Sequence, residues 1–257
     1  MSKVRIVSCK QAPIVAHGAV CSGHVETRAL FDREGEPIHL HRHQLDPGAR
    51  IRLEGDPSDV AIYIWKGAAE ARGLRLEAGS SAIVEAGAAL TLTGGADGAA
   101  LLAFNLATRA AEEPQGRHVH LLPSDRVPRT QSLGGNEGIS GAIHADAQCA
   151  TCRVWMHENG YVMADKETAV HSHSEDEVIF VTAGTLRLGQ RRYGPGTALA
   201  IAAGTKYGFF TGPDGLSFVN FRGASPTYRS ADGAVVMDEA RLWRSLLGRP
   251  EYLEPAG

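Results

Sequence analysis

The chain has 257 residues and a formal net charge of −3, with 26 lysines and arginines against 29 aspartates and glutamates. This length allows one large or two small domains, each with its own core, and the charge balance gives no basic footprint for nucleic acid. No stretch approaches 18 uninterrupted apolar residues, so no membrane span is predicted, and the start of the chain does not predict a signal peptide. We therefore expect a cytoplasmic protein.

Short apolar runs separated by glycines predict a mainly β chain. The 30 glycines exceed the average usage of roughly 7 %, and the runs "DVAIYIW", "SAIVEA", "EVIFVTAG" and "LSFVNF" are typical of strands joined by tight turns. One helix is predicted near the end of the chain, capped by Asp238 and ended by Gly248 and Pro250. Its apolar stripe consists of Leu242, Trp243, Leu246 and Leu247.

Two groups of metal-binding residue types stand apart from these runs. His39, His41 and His43 lie on one face of a predicted strand, for which an exposed or inter-barrel face is the favoured interpretation and a metal site the alternative. Cys149 and Cys152 form a CxxC pair, but such zinc sites need a second ligand pair at matching spacing. In a strand, that spacing would also send the thiols to opposite faces. We expect ordinary buried or edge cysteines, with zinc or redox use as the alternative.

A repeat with an offset of 117 residues relates the two halves of the chain. The flanking runs also correspond, with "AIYIWKG" against "IFVTAG" and "AGSSAIVEAG" against "PGTALAIAAG". Each half is therefore predicted to be a small antiparallel barrel with glycines at its corners. The matching glycines are Gly67 and Gly184, Gly79 and Gly196, and Gly87 and Gly204.

The second half resembles the cupin superfamily, whose first motif reads Gly-x5-His-x-His-x3–4-Glu-x6-Gly. His171, His173, Glu177 and Gly184 match this motif, and Asp165 replaces its leading glycine. The second cupin motif, Gly-x5-Pro-x-Gly-x2-His-x3-Asn, is matched in spacing from Gly196 to Gly204. It departs from the family at three places, where Ala202 replaces the proline, Tyr207 the histidine and Thr211 the asparagine.

The first half keeps the spacing of the motif but lacks its metal-binding residues. Gly48 is retained, whereas Glu54, Asp56, Val60 and Leu90 occupy the ligand positions. The resemblance thus implies an all-β fold of two tandem cupin jelly-roll barrels with a short C-terminal helix, the first barrel being structural and without metal. The predicted boundaries are an N-terminal arm at 1–25, a degenerate barrel at 26–110, a linker at 111–145, a metal-binding barrel at 146–223, and a helix and tail at 224–257.

The resemblance further implies a metal site in the second barrel. His171 and His173 share a strand face and, with Glu177, would form a facial triad that suits Fe(II), with Mn, Ni or Zn also open. For Tyr207 three roles stay open: an anionic fourth ligand, a hydrogen-bonding or proton-transfer group, or a plug that displaces the metal. The alternative to the metal site is a pair of surface histidines on a solvated loop.

Strand alternation from these residues predicts the lining of a substrate pocket. Ile179, Val181 and Phe209 would form its apolar wall, and Asp165 and Glu167 would lie at a solvated rim, unless one of them anchors the substrate. We expect a metal-dependent, dioxygenase-type enzyme for a small oxygen-chelating organic molecule, acting as a monomer or homodimer. The alternatives are a metal-dependent lyase, isomerase or hydrolase that uses no O2, and a non-catalytic ligand-binding protein.

Overall fold

The computed structural model describes residues 3–16, 21–108, 116–146, 149, 151–152 and 154–253. The chain divides into two compact units, each interrupted in sequence by the other. Unit 1 consists of Met1–Lys10, Pro128–Ala147 and Val154–Arg249. Unit 2 consists of Gln11–Val127, Gln148–Arg153 and Pro250–Gly257.

The described parts of both units are built from antiparallel strands. The first strand, β1 (Val4–Ser8), belongs to unit 1. The strands of unit 2 are β2 (Ile14–Val15), β3 (Cys21–Ser22), β4 (Val25–Phe31), β5 (Ile38–Leu45), β6 (Arg50–Glu54), β7 (Val60–Ala71), β8 (Leu74–Glu77), β9 (Ser81–Val84), β10 (Ala89–Leu106) and β11 (Val119–Leu122). The remaining elements of unit 1 are β12 (Arg129–Thr130), β13 (Ile139–Ala145), β14 (Trp155–Tyr161), β15 (His171–His173), β16 (Glu177–Leu188), β17 (Arg191–Tyr193), β18 (Thr197–Ile201), β19 (Phe210–Arg222), β20 (Thr227–Ser230), β21 (Val235–Asp238) and the helix α1 (Glu239–Leu247).

Unit 2 is built from one sheet, whose strands surround an apolar core. Its strands follow the order β11-β9-β7-β10-β5-β4-β2, and β3, β6 and β8 pair at the sides. The 18-residue strand β10 pairs with β6, β7 and β5 in turn. The core between these strands is filled by aliphatic side chains, among them Leu45, Ile51, Ile62, Ile64, Leu92 and Leu101.

Unit 1 contains a sheet of order β1-β18-β16-β19-β14-β13-β12 and a smaller sheet of order β15-β20-β21. One apolar cluster lies inside the larger sheet and includes Ile179, Val181, Leu199 and Phe218. Ile179 and Val181 are two residues apart on β16, so their side chains face the same side of the strand. The mainly β prediction is confirmed.

The predicted repeat has a structural counterpart in each unit. Strands β7 and β16 have the same bounds when shifted by 117 residues. Gly67 adopts φ +70°, and a Cβ there would lie 2.2 Å from Gly98 O. Gly184 adopts φ +67°, and a Cβ there would lie 2.4 Å from Gly215 O. Both positions therefore need glycine for the same reason, which is the close approach of two bent strands.

The unit boundaries differ from the predicted domain boundaries. β1, which lies in the predicted N-terminal arm, pairs with β18 in the sheet of unit 1. β12 and β13, placed in the predicted linker, pair with each other and with β14 in that same sheet. The Gln148–Arg153 segment belongs to unit 2 rather than to the second barrel. Residues 109–115 of the predicted barrel end and linker lie outside the described residues.

The predicted helix forms at α1 and belongs to unit 1. The Asp238 side chain accepts a hydrogen bond from Arg241 N at 3.0 Å, and Gly248 ends the helix with φ 78°. Trp243 is buried edge-on against Trp155, with ring centroids 6.4 Å apart, whereas Leu246 of the predicted apolar stripe is exposed. No helix in the described part of the chain is long and apolar enough to cross a membrane.

Candidate active site of unit 1

The backbone places His171 directly beside Tyr207. His171 N donates to Tyr207 O at 2.9 Å, and Tyr207 N donates to His171 O at 2.9 Å. The ring centroids of the two residues are 4.5 Å apart. The His171 ring also stacks on the Tyr228 ring, with centroids 4.9 Å apart and an angle of 14° between the rings. The imidazole therefore contacts two phenol rings.

Glu177 and Arg222 are paired across the sheet. They stand opposite each other in the β16–β19 register, which is a favourable position for opposite charges. Arg222 Nη2 donates to Glu177 Oε2 at 2.6 Å, and Asn220 Nδ2 donates to the same oxygen at 2.8 Å. Burial raises the pKa of Glu177, but Arg222, His173 and the hydrogen bonds from Tyr207 and Asn220 together outweigh burial and hold that pKa below its usual range. Glu177 is consequently an ionised carboxylate at neutral pH.

Glu239, the first residue of α1, brings a second carboxylate to Arg222. Arg222 Nη1 donates to Glu239 Oε2 at 3.2 Å. The other oxygen, Oε1, lies 2.6 Å from His173 Nδ1, close enough for charge attraction although the two atoms are not aligned for a good hydrogen bond. Burial opposes ionisation of Glu239, but Arg222 and His173 lower its pKa to about 2. One buried guanidinium thus bridges two buried carboxylates.

His171 and Tyr207 are uncharged in this environment. Burial is the largest effect on His171 and lowers its pKa, assisted by the nearby His173. His171 Nδ1 lies 2.7 Å from Ala169 O. Because a carbonyl only accepts, Nδ1 carries the proton and Nε2 the lone pair. Burial and the Glu177 carboxylate raise the pKa of Tyr207 well above its usual value, and the phenol hydrogen-bonds to Glu177.

A cavity of about 530 Å³ opens onto these groups, a volume typical of small-molecule sites. Its polar wall includes His171, His173, Tyr207, Asn220, Arg222 and Glu239. Its apolar wall includes Tyr161, Ile179, Phe209, Phe218, Leu242 and Trp243.

Only some of the predicted pocket residues line this cavity. Ile179 and Phe209 line it, whereas Val181 is fully buried in the adjacent apolar cluster. Asp165 lies in an exposed turn with φ 51° and forms an ion pair with Arg187. Glu167 is also exposed, and neither acid is among the lining residues. The turn before β15 carries both acids outward, since a lone carboxylate is more stable in water.

The predicted metal ligands do not converge as a set. Two ligands of one ion, each about 2.0–2.3 Å from it, can be no more than about 4.6 Å apart. Among the described residues, His171, His173 and Glu177 do not form a group whose donor atoms all lie within 4.8 Å of one another. The Glu177 carboxylate is bonded to Arg222, Asn220 and Tyr207 instead. This arrangement does not fit a metal ion, because Arg222 supplies the positive charge.

Four residues of this site were missed by sequence reasoning. His157 is buried in the cavity wall, and burial together with Arg222 lowers its pKa to about 3. Asn220 and Arg222 follow Phe218 at two-residue spacing in the buried run "LSFVNFR", a detectable sign of a polar inner face. Glu239 resembles an ordinary acidic residue at a helix start, so its role leaves no signal in the sequence.

The three histidines of β5 line a different cavity, of about 380 Å³, in unit 2. His41 Nε2 lies 3.0 Å from Asp32 Oδ2, and His39 Nδ1 lies 3.5 Å from Asp32 Oδ1. His43 is buried and hydrogen-bonded to Thr27 Oγ1 at 2.9 Å. His43 is therefore buried, whereas the side chains of His39 and His41 are 23 % and 22 % exposed and contact Asp32.

Comparison with known proteins extends the fold assignment. No family model matches the sequence, and no curated protein matches it. The protein Ylba from E. coli matches with a TM-score of 0.66 and 11 % identity, over 86 % of this chain and 90 % of that chain. A proposed dioxygenase from Nostoc punctiforme matches with a TM-score of 0.64 and 13 % identity, over 87 % and 84 %.

The oxalate decarboxylase of Lactobacillus farciminis, in complex with formate, matches with a TM-score of 0.67 and 12 % identity, over 88 % of each chain. At these identities the likeness concerns the fold. The chain has the jelly-roll fold of cupins, and the predicted fold class is confirmed.

Proposed function

We propose that unit 1 is a small-molecule enzyme in which His171 and Tyr207 transfer protons to and from an oxygen-bearing organic substrate. The observation that carries this proposal is the state of His171. Its Nδ1 proton is bound to the Ala169 carbonyl at 2.7 Å, and burial lowers its pKa. A neutral imidazole at a cavity wall with its Nε2 lone pair available is a general base.

Tyr207 supplies the complementary group. Its phenol stays protonated because burial and Glu177 raise its pKa, which suits hydrogen bonding or proton transfer. Arg222 and Asn220 hold the Glu177 carboxylate in place, and this carboxylate accepts a hydrogen bond from the Tyr207 phenol. The catalytic residues of the proposal are therefore His171 and Tyr207, and Glu177 and Arg222 are positioning residues.

The charges and shape of the cavity support a class of substrate. Arg222 is already shared by two carboxylates, so the polar end of the cavity has no unbalanced positive charge to attract an anion. The opposite wall is aromatic and aliphatic. A small neutral carbonyl, enol or phenol suits both walls, and isomerisation or lyase chemistry through an enol requires only proton transfer.

Metal-dependent oxygenation, with Fe(II) or alternatively Mn, Ni or Zn, is the second candidate function. One observation favours it: His171 Nδ1 lies 2.7 Å from Ala169 O and His173 Nδ1 lies 2.6 Å from Glu239 Oε1, and an imidazole Nδ1 near a protein oxygen is common when Nε2 binds a metal. Binding would require Glu177 to leave Arg222. A ligand-binding protein without catalysis would use the same cavity.

Hydrogen–deuterium exchange at the α-carbon of enolisable ketones tests the proposal. Proton NMR would follow the exchange in D2O, under argon and in air, with no metal added. We expect equal exchange in both gases and a loss of about 100-fold or more in His171→Gln, with a smaller loss in Tyr207→Phe. His24→Gln is the control, because His24 is 72 % exposed. Binding without exchange would instead indicate a ligand-binding protein, and consumption of ketone that requires oxygen would indicate an oxygenase.

A further inference from the structure

The CxxC pair does not lie in a strand. Cys149 and Cys152 belong to the Gln148–Arg153 segment, which is part of unit 2 although the chain before and after it belongs to unit 1. Cys152 N donates to Cys149 Sγ at 3.4 Å, so the two residues are drawn together by a local turn. The premise that alternation sends the thiols to opposite faces is therefore wrong here.

Two residues far away in the sequence form a cluster of four potential metal ligands with these thiols. Glu85 directly follows β9, and His120 lies on the paired strand β11. One donor atom from each of Glu85, His120, Cys149 and Cys152 lies within 4.8 Å of the other three. Glu85, His120 and Cys152 are buried, and Cys149 is half-buried. This is the second ligand pair that the sequence did not reveal.

The carboxylate of the cluster is fixed by its neighbours. Glu85 Oε1 lies 2.8 Å from His120 Nε2 and accepts a hydrogen bond from the Thr151 hydroxyl. Glu85 Oε2 accepts from His118 N at 2.9 Å. These contacts orient the carboxylate before any ion arrives, as the outer partners of metal ligands commonly do.

Neighbouring residues pack closely against the cluster. A Cβ at Gly116 would lie 2.1 Å from Glu85 Oε2 and 2.6 Å from Thr151 Cβ, so only glycine allows the backbone this close. The Tyr252 ring packs on the His120 ring, with centroids 5.0 Å apart. Four protein ligands are typical of structural zinc sites, whereas catalytic sites keep one position open.

We propose that Glu85, His120, Cys149 and Cys152 bind one Zn²⁺ ion, which fastens the Gln148–Arg153 segment to unit 2. Two thiolates, an imidazole and a carboxylate suit Zn²⁺ and do not suit Mg²⁺ or Ca²⁺, which take oxygen ligands. A tetrahedron of ligands about 2.0–2.3 Å from zinc has edges of roughly 3.3–3.8 Å, within the observed spread. A disulfide between the cysteines would leave the buried Glu85 and His120 without a cation.

Zinc content and cobalt spectroscopy test the proposal on the full-length chain. We expect about one zinc per chain after purification in reducing buffer without chelator. Replacement by Co²⁺ should give thiolate-to-cobalt charge-transfer bands and intense visible bands of tetrahedral Co²⁺. Cys149→Ser with Cys152→Ser should lose both zinc and bands, Glu85→Gln should shift the bands, and Cys9→Ser should change neither.

A measurement on the unmutated chain covers the case in which the double variant fails to fold. With zinc bound, Cys149 and Cys152 should resist alkylation by iodoacetamide, and chelation should expose them, as read by peptide mass spectrometry. Absence of zinc and cobalt binding would overturn the proposal. So would zinc retained by the double variant, or a Cys149–Cys152 disulfide in protein kept under reducing conditions.

Discussion

Arg222 Nη2 lies 2.6 Å from Glu177 Oε2 at the buried centre of unit 1. The same guanidinium reaches Glu239 at 3.2 Å. A buried guanidinium therefore occupies the role that the sequence motif assigns to a metal ion, which is to neutralise Glu177. We expect the stability and the pH response of unit 1 to depend on this arrangement.

Removing Arg222 should destabilise unit 1 strongly. Arg222→Met leaves two buried carboxylates without their counter-charge, and breaking such a network costs about 3 to 5 kcal/mol. Urea unfolding followed by tryptophan fluorescence in a Trp65→Phe background, which leaves only Trp155 and Trp243 of unit 1, would measure the loss. Arg192→Met on the exposed strand β17 is the matched control and should change the free energy of unfolding by less than about 0.5 kcal/mol. Equal effects of the two substitutions would contradict the account.

Unit 1 should lose stability in acid through Glu239. The pKa of this group is about 2 in the folded chain and 4.5 in its ordinary state. Because the folded value is depressed, its contribution is complete above pH 4.5 and disappears as the pH falls toward 2. The difference corresponds to about 3 kcal/mol. The same fluorescence-detected urea unfolding, repeated from pH 7 to pH 3, should show this decline.

Glu239→Gln should flatten that pH dependence and lower stability at pH 7. Glu137→Gln, at an exposed position of unit 1, is the control and should leave the curve unchanged. A Glu239→Gln chain that still loses as much stability in acid as the unmodified chain would show that other groups, such as the buried His157, govern the transition.

The glycine at the bend of β16 should be irreplaceable for steric reasons. Gly184→Ala would bring a Cβ within 2.4 Å of Gly215 O, which adds overpacking of about 1 to 3 kcal/mol to the cost of a positive φ. Gly189→Ala isolates the second cost, since Gly189 has φ +56° with nothing within 4 Å. The midpoint temperature of thermal unfolding of Gly184→Ala should be well below that of Gly189→Ala. Similar midpoints would mean that backbone conformation alone matters.

The sequence predicts features that depend on local spacing. Residues two apart on a strand place His171 and His173 on one wall, and the glycine pattern identifies the two related barrels. Arg222 and Glu239 were missed because their positions depend on the β16–β19 register and on the packing of α1, which join parts of the chain far apart in sequence. The partnership of Glu85 and His120 with the CxxC pair was missed for the same reason.

The metal content of the chain shows whether Arg222 or a metal ion neutralises Glu177. Wild type and the His171→Ala, His173→Ala double variant would be incubated with Fe(II), Mn(II) or Zn(II), desalted and analysed for metals. Because Arg222 already neutralises Glu177, we predict the same metal content in both proteins, with any zinc bound at Cys149 and Cys152. An additional equivalent of metal in wild type that disappears in the double variant would contradict the account and restore the metal-dependent site in unit 1.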